Sequence, residues 1–188
     1  MIIIAGGIKG GSGKTTAATN LAVIRAGEGR DVLLVDADDQ ETATDFTNLR
    51  NERAGEGARY TNIKLTGAAV RTETLRLASK YQDIIIDTGG RDTTSQRAAL
   101  SVADLLLVPF VPRSFDLWTL EKVAELVDEM KAANPKLRAY TFLNRADPRG
   151  TDNDETGEAL RENETLQFLD MPLGSRKPSA TPPRKAWP

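Results

Sequence analysis

The stretch Ile8-Lys9-Gly10-Gly11-Ser12-Gly13-Lys14-Thr15-Thr16 follows the apolar run Ile2-Ile3-Ile4-Ala5 at the start of the chain. No other stretch constrains the fold as much. A short buried run that breaks into a glycine-rich loop ending in Gly-Lys-Thr, and then enters a helical pattern, is the sequence form of a strand, a phosphate-binding loop and a helix. Glycines let such a backbone take positive φ and turn its N–H groups towards a phosphate chain. Lys14 is then placed to reach β- and γ-phosphates, the Thr15 hydroxyl to hold Mg²⁺, and the helix starting near Lys14 adds its positive end. Strict Gly-x4-Gly-Lys-Thr spacing calls for glycine at position 8, where Ile8 stands. Lys9 with Gly10 and Gly11 makes the other version of the loop, Lys-Gly-Gly-x-Gly-Lys-Thr-Thr. An ordinary glycine-rich βα turn needs neither two lysines nor a threonine pair at these offsets.

At 188 residues the chain fits one domain. Its 25 Lys and Arg against 27 Asp and Glu leave a net charge of −2, so any nucleic-acid contact must come from a local patch. The absence of cysteine and histidine excludes thiol nucleophiles, Fe–S ligation, imidazole bases and most zinc sites. Chemistry is left to Lys, Asp, Thr, backbone amides and a metal. No secretory signal is visible, and no run approaches the roughly 18 apolar residues of a spanning helix, so a soluble cytoplasmic protein is expected.

Apolar strand-like runs alternate with helix-length segments. This is the pattern of an α/β fold with a mainly parallel sheet, and with the glycine-rich loop at its start the expected class is a P-loop NTPase fold, a twisted sheet with helices on both faces. Strands are expected over residues 2–5, 32–35, 63–65, 83–87, 104–109, 139–143 and 165–169, and helices over 15–26, 42–53, 72–80, 116–133 and 154–162. Residues 53–58 read as a flexible loop.

Ligands of open α/β sheets sit beyond the carboxyl ends of the strands, which is where Asp36, Asp38 and Asp39 follow one strand and Asp87 ends another. Gly89 and Gly90 after Asp87 let a backbone N–H approach a γ-phosphate. Leu117, Leu120, Val123, Ala124 and Val127 form a helical stripe facing the core. Phe115 and Trp118 read as core or edge packing, with an interface role as the alternative. Residues 1–171 form the expected domain. The Pro- and Arg/Lys-rich segment 172–188 reads as irregular, without the packed helix that usually closes such a domain, which points to truncation or to an unusual C-terminus.

On Lys9-Gly-Gly-Ser-Gly-Lys-Thr-Thr16, Val35-Asp-Ala-Asp-Asp-Gln40, Ile86-Asp-Thr-Gly-Gly90 and the passage from Pro109 to Trp118 into a long helix, the chain resembles the ParA-type partition ATPases. The likeness is to the small, ParF-like form of this deviant Walker-A family, without an N-terminal DNA-binding domain, and it covers residues 1–175.

The resemblance implies ATP and Mg²⁺ as cofactors, with Gly10, Gly11, Ser12, Gly13 and Gly90 around the phosphates. Lys14 is implied on the β- and γ-phosphates, Thr15 on Mg²⁺ and Thr16 on the α-phosphate. Lys9 is the signature lysine that reaches the partner's nucleotide in an ATP-sandwiched homodimer, much as an arginine finger acts. Asp38 is implied to orient the attacking water, Asp36 to support the metal side, Asp87 to be the Walker-B carboxylate, and Asn144 to recognise adenine with Arg145 alongside. The family's Asp-Pro-Gln is Asp38-Asp39-Gln40 here.

The implied activity is slow, Mg-dependent ATP hydrolysis coupled to nonspecific DNA binding, with a centromere-binding partner stimulating turnover during plasmid or chromosome partition. The alternative is a related ATPase that positions a protein cargo or assists conjugative DNA transfer. Arg138, Arg145, Arg149, Arg161, Arg176, Lys177, Arg184 and Lys185 are the implied DNA contacts, with plain solvated charge as the competing reading. A membrane-targeting variant needs a basic amphipathic C-terminal helix, which the proline-rich tail cannot make. Small-acid ligases that share the fold are a further class, set apart by a requirement for their acid substrate.

Overall fold

The computed structural model describes residues 1–53, 57–147 and 151–175. Seven strands form one sheet: β1 (Ile2–Ala5), β2 (Val32–Ala37), β3 (Thr61–Lys64), β4 (Asp83–Thr88), β5 (Leu105–Phe110), β6 (Arg138–Ala146) and β7 (Gln167–Gly174). Their order is β3-β2-β4-β1-β5-β6-β7, and every neighbouring pair is parallel. Among the described residues six α-helices accompany them: α1 (Lys14–Gly27), α2 (Thr42–Arg53), α3 (Ala69–Leu77), α4 (Thr94–Leu100), α5 (Leu117–Ala133) and α6 (Asp152–Arg161).

The continuous isoleucine runs of β1 and β4 follow from this arrangement, because central strands of a parallel sheet are covered on both faces. Strand alternation divides their side chains between two cores. Ile4, Leu33, Val35, Ile84 and Ile86 pack with residues of α3, α4 and α5. Ala5, Leu34 and Ile85 pack with Ala18, Ala22 and Ala26 of α1 and Ala43 of α2. The small alanines let α1 lie close to the sheet, directly behind the glycine-rich loop. The register Ala5↔Asp87 and Asp36↔Asp87 brings the carboxyl ends of β1, β2 and β4 level, so the loop and the acidic residues meet at one rim.

The expected fold class is what forms, and α2 and the edge position of β3 agree with the sequence reading. Several boundaries differ. Pro109 lies inside β5, beyond the last residue paired with β1, so its missing N–H is lost only on a side where the strand has no partner. Helix α3 begins earlier and ends earlier than its pattern suggests, and Leu75 on it is exposed. Helix α4 has no counterpart among the expected elements. It is seven residues of mixed polarity, and its start is marked only by Thr93, whose side chain accepts from the Gln96 N–H.

In α5 the stripe Leu120, Val123 and Val127 is buried as expected, with Leu126 and Met130 added, but Leu117 is 55% exposed. Trp118 is 64% exposed, which corrects its reading as core or edge packing, whereas Phe115 packs edge-on against Phe110 with ring centroids 5.6 Å apart. Strand β7 continues to Gly174, three residues past the expected domain boundary at 171, through two irregularities in its pairing with β6. Residues 54–56 of the expected loop, Arg149, and 176–188, which include Arg176, Lys177, Arg184 and Lys185, lie outside the described residues.

Candidate nucleotide site

The loop from Gly6 to Gly13 joins β1 to α1. Gly13 precedes the helix with φ +100° and no side chain caps the helix start, so the first-turn N–H groups of α1 stay open to an incoming anion. Lys14 is buried, and its Nζ folds back to donate to the Lys9 carbonyl at 2.8 Å. Burial pulls the Lys14 pKa down, and the charges of Asp87 and Asp38 oppose that fall. Thr15 is partly exposed and Thr16 exposed on the next positions, and Ser12 is buried within the loop.

Asp87 is the most unusual group of the site. It is fully buried at the end of β4, and neither carboxylate oxygen has a donor in hydrogen-bond geometry. Burial pushes its pKa up to about 7, with the Thr15 hydroxyl and Lys14 nearby acting the other way and Asp36 and Asp38 adding to the rise. A buried, unpartnered carboxylate is costly unless a cation completes it. Mg²⁺ keeps several non-protein ligands and typically takes only one or two protein carboxylates beside substrate phosphates. Asp87 with the Thr15 hydroxyl fits that requirement, and among the described residues no cluster of three or more acidic side chains competes for a metal.

Asp36 is held by three donors of its own chain. Its Oδ2 accepts from both the N–H and the hydroxyl of Thr44 at 2.8 Å, and its Oδ1 from the Asp38 N–H at 3.3 Å. These donors tie Asp36 to the first turn of α2 and to the bend after β2, and its charge adds to the rise of the Asp87 pKa. Asp38 stands closer to the centre: its Oδ1 accepts from the Gln40 N–H at 3.2 Å and lies against Gly89, where an added Cβ would sit 3.3 Å from it. Asp39, the residue in place of the family's proline, is exposed. Gly90 rests on the loop itself, and a Cβ there would come within 2.8 Å of the Gly10 nitrogen. The segment after β4 and the glycine-rich loop are therefore in backbone contact.

Lys9 reaches the opposite way. Its Nζ lies 2.7 Å from Asp116 Oδ2 and also donates to the Ser114 carbonyl. Asp116 Oδ1 accepts from the Thr119 N–H at 2.6 Å and so caps α5. The Lys9 ammonium and the Thr119 donor hold the Asp116 carboxyl down at about 2. Sequence reading missed Asp116 and Ser114 as partners of Lys9. Asp116 falls inside the helix expected over 116–133 rather than capping it, and its meeting with a residue 107 positions away leaves no local signal.

Asn144 and Arg145 lie in the irregular end of β6. The Asn144 amide donates to the Ser12 carbonyl at 2.7 Å, and Arg145, exposed with φ +56°, gives its own N–H to Asn144 Oδ1 at 3.0 Å. Of the implied DNA contacts, Arg138, Arg145 and Arg161 are exposed, and Arg161 is paired with Asp170 and stacked 5.1 Å over Phe168.

Residues 2–179 match the family model of the CobQ/CobB/MinD/ParA nucleotide binding domain. The chain belongs to this family. Among curated relatives, maintenance of carboxysome distribution protein A from Gloeobacter kilaueensis is 34% identical over 167 residues, which cover 87% of this chain and 69% of that protein. The protein of the same name from Halothiobacillus neapolitanus is 29% identical over 144 residues, covering 76% and 65%. The chain thus spans about two thirds of the length of these relatives. A plasmid partition protein from Borrelia burgdorferi B31, solved with AMPPNP, superposes with a TM-score of 0.74 at 20% identity, over 94% of this chain and 85% of that one. At that identity the likeness is one of fold.

Proposed function

We propose that this family member is a Mg-dependent ATPase that closes into a homodimer around ATP and uses that cycle to position a cargo. The observation that carries the reading is Asp87, a buried carboxylate without a donor beside Lys14 and Thr15 at the mouth of an uncapped helix.

The roles follow from position. The loop N–H groups from Gly10 to Gly13 and the first turn of α1 bind the phosphate chain, with Thr16 at its α-phosphate end. Lys14 exchanges the Lys9 carbonyl for phosphate oxygens. Thr15 and Asp87 would hold Mg²⁺, which when bound would offset the negative charge of the β- and γ-phosphates. Gly90 brings a backbone N–H to the γ-phosphate side, and Asp38, facing Gly89, orients and accepts a proton from the attacking water. Lys9 leaves Asp116 and Ser114 to act on the partner's nucleotide, so hydrolysis waits for the dimer.

Nonspecific DNA binding by the dimer and stimulation by an adaptor protein complete the cycle, in a cytoplasmic, nucleoid-associated protein. Partition of a plasmid or chromosome is the first reading of the cargo. A protein cargo is the second, favoured by the two carboxysome-distribution relatives. Among the described residues no helix is long and apolar enough to cross a membrane.

Light scattering with ADP and with a non-hydrolysable ATP analogue, each with and without random duplex DNA, tests the core of this proposal. A monomer with ADP and a dimer with the analogue is expected, with retention of the dimer on DNA at low salt that weakens as salt rises. A monomer in both nucleotides would sink the trans role of Lys9. Dimerisation without DNA retention would leave the protein-cargo reading, which capture of a DNA-binding adaptor would in turn oppose.

A further inference from the structure

We infer that Asn144 is a positioning residue for the phosphate loop, acting on the phosphates of any bound nucleotide through Ser12 and Gly13. The inference rests on the nucleotide-binding reading of the loop and adds a phosphate-side role to the adenine contact that the family resemblance implies.

Three observations converge on Asn144. Its Nδ2 donates to the Ser12 carbonyl at 2.7 Å, across 132 positions of sequence. Its Oδ1 accepts from the Arg145 N–H at 3.0 Å. Only one orientation of the amide satisfies both partners, because one offers an acceptor and the other a donor. The side chain is held rigidly, with one amide hydrogen committed to the loop and the carbonyl committed to its own strand.

The third observation is the fit at Gly13. A Cβ there would lie 2.1 Å from Asn144 Nδ2, and Gly13 itself sits at φ +100°. The amide therefore fills the space that a side chain at position 13 would need. Holding the Ser12 carbonyl outward fixes the Ser12–Gly13 peptide plane and aims the Gly13 N–H away from Asn144, towards the anion side of the loop. Backbone irregularity on β6 serves the same end. The register with β7 shifts on both sides of Asn144, and Arg145 takes a left-handed conformation that non-glycine residues rarely adopt. That local cost is paid where the strand must turn one amide into the loop.

Binding of three ligands without metal separates phosphate positioning from base reading. Calorimetry with ADP, GDP and tripolyphosphate is run on the wild type, Asn144→Ala and Asn144→Asp, with thermal unfolding of each ligand-free protein as the control for folding. Asn144→Ala should weaken all three ligands, tripolyphosphate included, by about tenfold, because the Ser12 carbonyl loses its donor and the loop its fixed plane. Asn144→Asp should weaken them further, since a carboxylate beside the Ser12 carbonyl repels it and the phosphates alike.

A loss confined to ADP, or no loss for any ligand, overturns the inference. In the wild type the Asn144 side-chain amide resonance should shift with tripolyphosphate alone. A resonance that moves only when adenosine is present overturns it as well, even where the variants do not fold. Failure of the wild type to bind any of the three would instead remove the nucleotide reading on which this rests, and Lys14→Ala binding none while the wild type binds all would uphold it.

Discussion

At the scale of one residue, Asp87 is the buried carboxylate whose oxygens have no donor. An unpartnered carboxylate in the interior destabilises the nucleotide-free protein, so Asp87→Asn, which keeps the shape and removes the charge, should raise its melting temperature by a few degrees, about 1 kcal/mol. The same variant should lose the extra stabilisation that Mg²⁺ adds to bound nucleotide. Thermal shift with and without Mg²⁺ measures both, and a lowered melting temperature without ligand would show that Asp87 is satisfied by the fold itself.

Asp83 is the contrasting acid. It is also fully buried, but Arg25 and Arg30, 25% and 34% exposed, donate to it at 2.9 and 2.5 Å. Burial opposes its ionisation, and the two guanidinium groups outweigh burial, leaving the pKa lowered. Asp116 is lowered to about 2 by Lys9 and Thr119. Both carboxyls are more acidic folded than unfolded, so their contribution is complete above the ordinary carboxylate value and is lost as pH falls through the folded one. Urea midpoints should therefore fall as pH drops from about 4 towards 2. Asp83→Asn, which leaves two arginines facing a neutral amide, should cost about 3 kcal/mol at neutral pH and flatten that fall.

Among elements, the contact between the β4 loop and the glycine-rich loop decides how the two halves of the site communicate. Gly90 and Gly10 touch through backbone, where no side chain can move aside. Gly90→Ala should force the loops apart by a few tenths of an ångström and weaken nucleotide binding at least tenfold, with little change in melting temperature, since the loop carries few core contacts. Normal affinity in Gly90→Ala would mean that the loops separate freely on binding.

This segment also shows why some elements were legible and others not. The isoleucine runs of β1 and β4 announce buried strands because both faces are covered, and α2 keeps its expected ends. Helix α4 carries no periodic signal of its own over seven residues. It is held by packing against α3 and α5 and by Arg97, which forks to Asp92 at 2.8 and 2.7 Å and to Glu129 at 2.6 and 3.0 Å. Leu117 fits a core stripe by spacing and Trp118 reads as core or edge packing, yet the first turn of α5 leaves both exposed. Spacing names the face of a helix, and the neighbouring elements decide how far that face is covered.

At the scale of the whole molecule, the site holds Lys9 on its own chain while the proposed cycle needs it on another. Lys14→Ala should abolish nucleotide binding. Lys9→Gln should bind ATP at near wild-type affinity but lose partner-stimulated turnover by at least a hundredfold, and Asp38→Ala should accumulate as an ATP-bound dimer. Nucleotide titrations beside steady-state turnover distinguish these outcomes, and a Lys9→Gln protein with undiminished stimulated turnover would contradict the trans role.

The sequence by itself determined the α/β class, the glycine-rich loop between a strand and a helix that carries Lys9, Lys14, Thr15 and Thr16, and the carboxylates at the strand ends, because each rests on spacing along a few consecutive residues. Only the tertiary structure decided which partners those residues keep. Asp36 proved committed to Thr44, Lys9 to Asp116 and Ser114, Asn144 to Ser12, and Asp87 to none. The physical reason is competition: a side chain's role depends on which donors and acceptors strand order and register bring within 3 Å of it, and residues more than a hundred positions apart are brought together only by the folded sheet.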